Sequence, residues 1–303
     1  MLYDLIQHPY FQRLNRIKQL GMSFLVYPGA QHTRFQHSLG AMHLMSESIA
    51  QLRAKGIEIT EDESSAVLAA ILLHDIGHAP FSHVLEDTLT KDITHEEISL
   101  LMMQNINQEM GGDLEMAIEI YQNRYHKKFL HQLVSSQLDM DRLDYLIRDS
   151  FFTGVVEGAV GTARIIKMLN VYDDELVVEA KGVYSIEKFL IARRMMYWQV
   201  YLHKTSVSAE QVLIKTLERA KELSRKGFRL FAAPQLEYFL KKEVTKEDFL
   251  ASEEPLDYYS RFDDSDIMSA IKVWSTCDDK ILSLLCNNLM NRRLFKMEVR
   301  ERR

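Results

Sequence analysis

Residues 60–78 read TEDESSAVLAAILLHDIGH. Thr60 followed three residues later by Glu63 is a capping box, in which each side chain satisfies the other residue's backbone N–H, so a helix opens here. Its body, AVLAAILL, is apolar all the way round, and such a helix must be buried. His74 and Asp75 stand at its C-terminal end. A carboxylate carried into a core needs a cation or several donors, because an unpaired buried charge is costly. A divalent metal ion is the simplest partner. The stretch therefore predicts a helical core with a metal site at its centre.

Working outward, residues 9–20 (PYFQRLNRIKQL) predict an amphipathic helix stopped by Gly21, followed by an extended stretch, SFLVYPGAQHTRF. A second helix is expected from about Gln36 to Lys55, ended by Gly56. After His74-Asp75, Gly77 breaks the helix and Pro80 restarts the chain as a short one, PFSHVLEDTL. Thr94 with Glu97 repeats the capping box ahead of HEEISLLMMQNINQEM, closed by Gly111-Gly112. Residues 138–149 (LDMDRLDYLIRD) predict another helix, and LNVYDDELVVEA a small β-hairpin. A helix of roughly forty residues is expected from about Ser185. Beyond Gly227, shorter helices alternate with charged loops. The expected fold is all-α, with residues 1–225 as one domain and 226–303 as a C-terminal helical appendage, or an α+β one.

Composition agrees. The 303 residues suffice for one large domain or a core plus an appendage. Only 12 glycines and 5 prolines argue against a turn-rich β fold, and 15 methionines suit helical cores. The net charge of −6 indicates no polyanion partner, so nucleic acid is not indicated and any nucleotide site must be a local positive pocket. Cys277 and Cys286 could pair, but they make neither a disulfide framework nor a thiolate zinc site. No apolar run approaches the ~18 residues of a membrane span, and no signal sequence opens the chain. A cytoplasmic protein without a membrane partner is expected. The chain starts directly on structured-looking sequence, so a further segment upstream is expected too.

The histidines crowd between His32 and His95. Taken singly, His8, His43, His126 and His131 read as packed or surface residues. The doublet His74-Asp75 reads otherwise, and the helix at 138–149 adds a second clue. At 100° per residue, Asp141, Arg142, Tyr145 and Asp149 share one face, opposite Leu143, Leu146 and Ile147, while Asp144 and Arg148 are left to pair at i,i+4. Two acids, a base and a phenol on one stripe look like a pocket wall.

Four pieces in this order, R-F-Q-H-S-L-G, L-L-H-D-I-G-H-A-P-F-S-H, T-H-E-E and D-M-D-R-L-D-Y-L-I-R-D, resemble the HD superfamily of metal-dependent phosphohydrolases. More narrowly, they look like its deoxynucleoside triphosphate triphosphohydrolase branch, the SAM-and-HD-domain proteins. The likeness covers roughly residues 5 to 225 and includes Gln19-Leu20-Gly21. It implies metal ligands at His37, His74, Asp75 and Asp141. Two imidazoles and two carboxylates suit one divalent ion, with manganese, iron, zinc, magnesium and nickel not distinguished. It implies acid–base residues at His78 and His95, with Glu86 where relatives carry aspartate. It implies phosphate contacts at Arg34, His83 and Arg142, and sugar contacts at Gln19, Leu20, Tyr145 and Asp149. On the long helix, Arg193, Tyr197, Tyr201 and Lys204 recur at helical spacing. The resemblance makes Arg193 and Tyr201 ligand contacts. Gln7 and Asn15 replace charged residues of the regulated relatives, so activation by GTP is not implied.

The expected function is hydrolysis of a deoxynucleoside triphosphate to deoxynucleoside and tripolyphosphate, by a homo-oligomer. Alternatives are an HD phosphohydrolase for a nucleoside mono- or diphosphate, or a non-catalytic metal- and nucleotide-binding sensor. Cyclic-dinucleotide and guanosine-tetraphosphate substrates are disfavoured, because no G-Y-P follows the HD pair and Gly77-His78 replaces an acidic pair.

Overall fold

A computed structural model describes residues 1–297, the side chains of His83, Glu86 and Asp87 excepted. Its centre is the helix Glu61–Leu73, opened by the Thr60/Glu63 box, with Ala66, Val67, Ala69, Ala70, Ile71, Leu72 and Leu73 all buried. Each fully buried leucine or isoleucine there is worth about 1.5–3 kcal/mol relative to exposure. Arg34–Ala54 packs against this helix on one side and against Met140–Thr153 on the other. His95–Glu109, opened by its own Thr94/Glu97 box, completes the surround of the HD corner. The hairpin pairs Leu169–Tyr172 with Glu175–Val178, in register Leu169 to Val178. The expected all-α fold with one small hairpin is what the chain adopts. Among the described residues, no helix is long and apolar enough to cross a membrane.

Several expected boundaries move, each for a reason. The helix at 9–20 is a short turn, Pro9–Gln12, that tightens into a 3-10 turn, Arg13–Arg16. The next residues leave helical geometry to bond the chain before Arg34: Gln19 N–H donates to His32 O (3.0 Å) and Arg34 N–H to Ile17 O (3.0 Å). The stretch after Gly21 opens on a 3-10 turn, Gly21–Leu25, rather than extended chain. The segment from Pro80 is a 3-10 turn, Ser82–Leu85, and a short helix, Glu86–Leu89. The polar stretch after Gly112 contains helices Glu115–Tyr121 and Lys128–Val134, which sequence patterning missed because each is only two turns long. The forty-residue helix is interrupted. Val183–Met196 runs into a π-helical turn, Tyr197–Tyr201, and a new helix starts at Lys204 under a His203 cap. π turns of this kind gather at functional sites, and this one swings Tyr201 inward.

Residues beyond 225 share the same continuous apolar core, contributing Phe239, Tyr259, Phe262, Ile271 and Trp274. Val244–Thr245 pairs in parallel with Thr90–Lys91. The wholly buried Arg13 joins this part to the HD corner, donating to Phe262 O (2.7 Å), Ile76 O (3.1 Å) and His78 O (2.8 Å). Tyr259 OH donates to Gly77 O (2.8 Å), and Asp264 accepts the backbone N–H groups of Phe81 and Lys18 (2.9 Å each). The C-terminal segment thus lies directly beneath the loop that carries the histidines. Cys277 and Cys286 are both free thiols.

Candidate metal centre and active site

Three helices deliver the cluster. His37 comes from the first turn of Arg34–Ala54, His74-Asp75 from the end of the buried helix, and Asp141 from the first turn of Met140–Thr153. His37, His74 and Asp141 bring one ligand atom each within 4.8 Å of one another. His37 Nε2 lies 3.1 Å from Asp141 Oδ1 and 3.7 Å from Asp75 Oδ2; His74 Nε2 lies 3.3 Å from Asp75 Oδ1 and 3.6 Å from Asp141 Oδ1. Atoms about 2.1 Å from a shared ion and at right angles are roughly 3 Å apart, so these spacings are those of a ligand shell.

Both imidazoles point the same way chemically. His37 Nδ1 is bonded to Asp144 Oδ2 (2.8 Å) and His74 Nδ1 to Ile71 O (2.6 Å), which leaves both Nε2 atoms facing the cluster. Those two Nε2 atoms are buried without a hydrogen bond. An imidazole oriented through one nitrogen by a carboxylate or carbonyl, with the other nitrogen turned to a cluster of carboxylates, is the arrangement of a metal ligand. The His37, His74 and Asp141 cluster could hold a divalent ion, and Asp75 lies beside it.

Electrostatics agree with the geometry. Burial pulls His37 down, but Asp141, Asp144 and Asp75 outweigh it and raise the ring to about 10. His74 is raised against burial by Asp75 and Asp141. Asp75 and Asp141 are held well below the carboxylate range despite burial, chiefly by His74, Arg34 and His78 for the first and by His37 and His74 for the second. The carboxylates thus favour positive charge at the two rings, which is the charge a bound cation would supply in place of a proton. Asp144 also receives both Arg148 Nε and Nη2 (2.8 Å each). Gly40 makes room for this pair, since a Cβ there would come within 2.0 Å of Asp144 Oδ1 and Arg148 Nη2.

Beside the cluster opens a cleft of about 370 Å³ lined by Gln19, Arg34, His78, His95, Arg142 and Tyr145 among others. Arg34 bonds both Asp75 and Ser82 Oγ. The rings of His78 and His95 stack at 3.9 Å, and His78 Nε2 lies 3.1 Å from Asp75 Oδ1. Gly77 allows that stacking: its N–H donates to Ser99 Oγ (2.9 Å), and a Cβ would strike His95 O at 2.3 Å. Burial and the Arg34 charge pull His78 down to about 4. Tyr201, on an adjoining groove, donates its OH to Asp149 Oδ2 (2.7 Å), and its ring meets Tyr145 of the cleft edge-on at 6.1 Å.

The profile for the HD domain matches residues 34–149, and that for the HD-associated region matches residues 160–249. The chain belongs to the HD-domain family of phosphohydrolases. As an HD chain it is 36% identical to YwfO of Bacillus subtilis, over 98% of this chain and 67% of that one. The human deoxynucleoside triphosphate triphosphohydrolase SAMHD1 is 31% identical over 67% of this chain, a match spanning 40% of the human protein. A crystal structure of a phosphohydrolase from Bacteroides thetaiotaomicron superposes with a TM-score of 0.96 at 61% identity, covering 98% of this chain and 73% of that one.

Within this HD site the sequence-predicted residues mostly converge. Arg142 is turned to Asp139 rather than standing free, through an ion pair three residues apart. Arg193 is not among the residues lining the cleft and reaches Gln137 Oε1 (3.4 Å). Leu20 lines an adjoining groove with Tyr201 rather than the cleft itself. Lys204, expected on the same stripe as Tyr201, faces Arg292 and Phe295 instead, because the π turn resets the helical phase. The side chains of His83 and Glu86 lie outside the described residues. Sequence reading missed Asp144 as the partner of His37, although its place one turn after Asp141 was visible. It also missed Tyr121, Ser135 and His131, all of which line the cleft. His131 had read as a packing residue.

Proposed function

We propose that this HD chain hydrolyses deoxynucleoside triphosphates at the α-phosphorus, giving deoxynucleoside and tripolyphosphate. The observation that carries the reading is one cleft lined both by residues of the metal-ligand cluster with the stacked histidines and by Gln19 and Tyr145. Similarity to SAMHD1, whose name states that activity, supports it. His37, His74, Asp75 and Asp141 would hold the divalent ion. Once bound, such an ion polarises a phosphoryl oxygen and makes water a better nucleophile near neutral pH.

The chain's own residues do the rest. Arg34 and Arg142 offset phosphate charge, Arg34 as a fork already set by Ser82 and Asp75. As a water oxygen bonds to the α-phosphorus, the bond from phosphorus to the sugar's O5′ breaks. A proton must reach that departing oxygen. His78, kept neutral, stacks against His95, and we assign His95 as the donor. Gln19, Leu20, Tyr145, Asp149 and Tyr201 receive the sugar, and Arg193 closes the outer edge.

We further assign the exposed apolar surface of Phe151, Tyr184, Ile191 and Trp198 to contact with a second copy of the chain. Sedimentation should then give a dimer or larger species, and a monomer removes that assignment. For the reaction, purified chain supplied with manganese should release tripolyphosphate from at least one deoxynucleoside triphosphate, and His74→Ala with Asp75→Ala should abolish it. Orthophosphate release alone points to another phosphate ester, and metal binding without turnover points to a sensor.

A further inference from the structure

His32 has no part in the reading above, yet its side chain is fully enclosed. Its ring lies flat on Phe152, with centroids 4.5 Å apart and planes 13° from parallel. Nε2 is 2.7 Å from Asp149 Oδ1, and the other oxygen of that carboxylate accepts the Tyr201 hydroxyl. Nδ1 is buried with no hydrogen-bond partner among the described residues, so all that the ring can donate goes to Asp149. A carboxylate offers about four lone-pair directions, and two donors leave room for a third. The carbonyl of His32 also accepts the N–H of Gln19 (3.0 Å). Gln19 borders the cleft with a buried Oε1 that has no partner. One residue thus fixes one acceptor through its ring and, through its carbonyl, anchors the backbone of the residue that carries a second, whose Oε1 still lacks a donor.

We propose that His32 is the positioning residue of the sugar subsite, setting the Asp149 carboxylate and Gln19 to receive the sugar hydroxyl of the nucleotide. The inference rests on the deoxynucleotide reading above. A deoxynucleoside triphosphate has a single sugar hydroxyl, the 3′ one, so the substrate itself supplies the control. A ring that merely filled space would affect substrates with and without that hydroxyl alike. His32 as a positioning residue acts only on the one that has it.

The experiment compares dATP with 2′,3′-dideoxy-ATP on manganese-loaded wild type, His32→Ala, His32→Gln and His32→Asn, reading tripolyphosphate release. Wild type should favour dATP in KM. His32→Ala should raise KM for dATP at least roughly tenfold, the loss expected for a hydrogen bond to a charged group, and leave KM for the dideoxy substrate unchanged. His32→Gln, whose amide reaches the Nε2 position, should recover most of the preference, and His32→Asn, one carbon shorter, should not. Equal KM increases for both substrates, or no preference in wild type, overturn the proposal while leaving tripolyphosphate release intact. If His32→Ala does not fold, the glutamine and asparagine variants decide, and identical behaviour of the two is the negative result. If wild type releases no tripolyphosphate, the triphosphohydrolase reading fails by itself. Kd values for the same two nucleotides then test His32 separately, with the same preference expected and its absence overturning it.

Discussion

Replacing Asp144 by asparagine removes one charge behind the metal cluster and replaces none of the four proposed ligands. The His37 Nδ1 to Asp144 Oδ2 bond is 2.8 Å long, between a fully buried ring and a carboxylate with 7% exposure. An asparagine oxygen can still accept that bond, but its amide nitrogen then faces the donors of Arg148; flipped, the nitrogen faces the Nδ1 proton instead. Either way His37 loses the negative charge that helps raise its basicity. Loss of such an outer partner typically weakens metal binding about 10–100-fold, or about 1.4–2.7 kcal/mol. Because this bond is buried and charge-assisted, the upper half of that range is expected. Calorimetric titration of manganese into metal-free protein at neutral pH measures the change, with thermal unfolding confirming that Asp144→Asn is folded. A folded variant that binds manganese within threefold of wild type would refute the view that Asp144 orients a metal-bound His37.

Arg13→Met should cost about 3–4 kcal/mol in urea unfolding, since three buried carbonyls lose their donor at about 1 kcal/mol each or somewhat more; a loss under 1 kcal/mol would mean that water replaces the guanidinium. Gly40→Ala should lower stability by about 1–3 kcal/mol and weaken manganese binding in parallel, because the new methyl must separate Asp144 from Arg148. Burial alone lifts Glu210 to about 7 from an ordinary 4.5, so its proton is held more tightly folded than unfolded, and the stability this contributes below pH 4.5 is lost as pH rises through 7. Glu210→Gln, neutral throughout, should therefore gain about 1–2 kcal/mol over wild type between pH 5 and pH 8.5, allowing for solvent in the adjoining groove it lines. Melting curves at the two values check it, and a pH-independent difference would contradict it.

The His74-Asp75 part of the metal end was legible in the sequence because its physics is local, whereas His37 and Asp141 entered as ligands through the family resemblance. A capping box, an all-apolar helix body and a His-Asp doublet can be read from residues 60–75 alone. The i,i+4 pairing of Asp144 with Arg148 was equally visible, but its closing bond to His37 lies 107 positions away in the chain and left no local sign. The same holds for Arg13, whose residue type suggests a solvated face until Phe262 O is seen beside it. The π turn at Tyr197–Tyr201 was hidden because its residues keep helical spacing on paper, while in the fold Tyr201 ends that turn bonded to Asp149. Contacts between distant segments decided each of these.

Crystals grown with manganese and measured on both sides of its absorption edge test the metal assignment directly. One anomalous peak per chain is expected, about 2.0–2.4 Å from the Nε2 atoms of His37 and His74 and from an oxygen each of Asp75 and Asp141. A peak elsewhere, or none in protein that turns over its nucleotide, would contradict it.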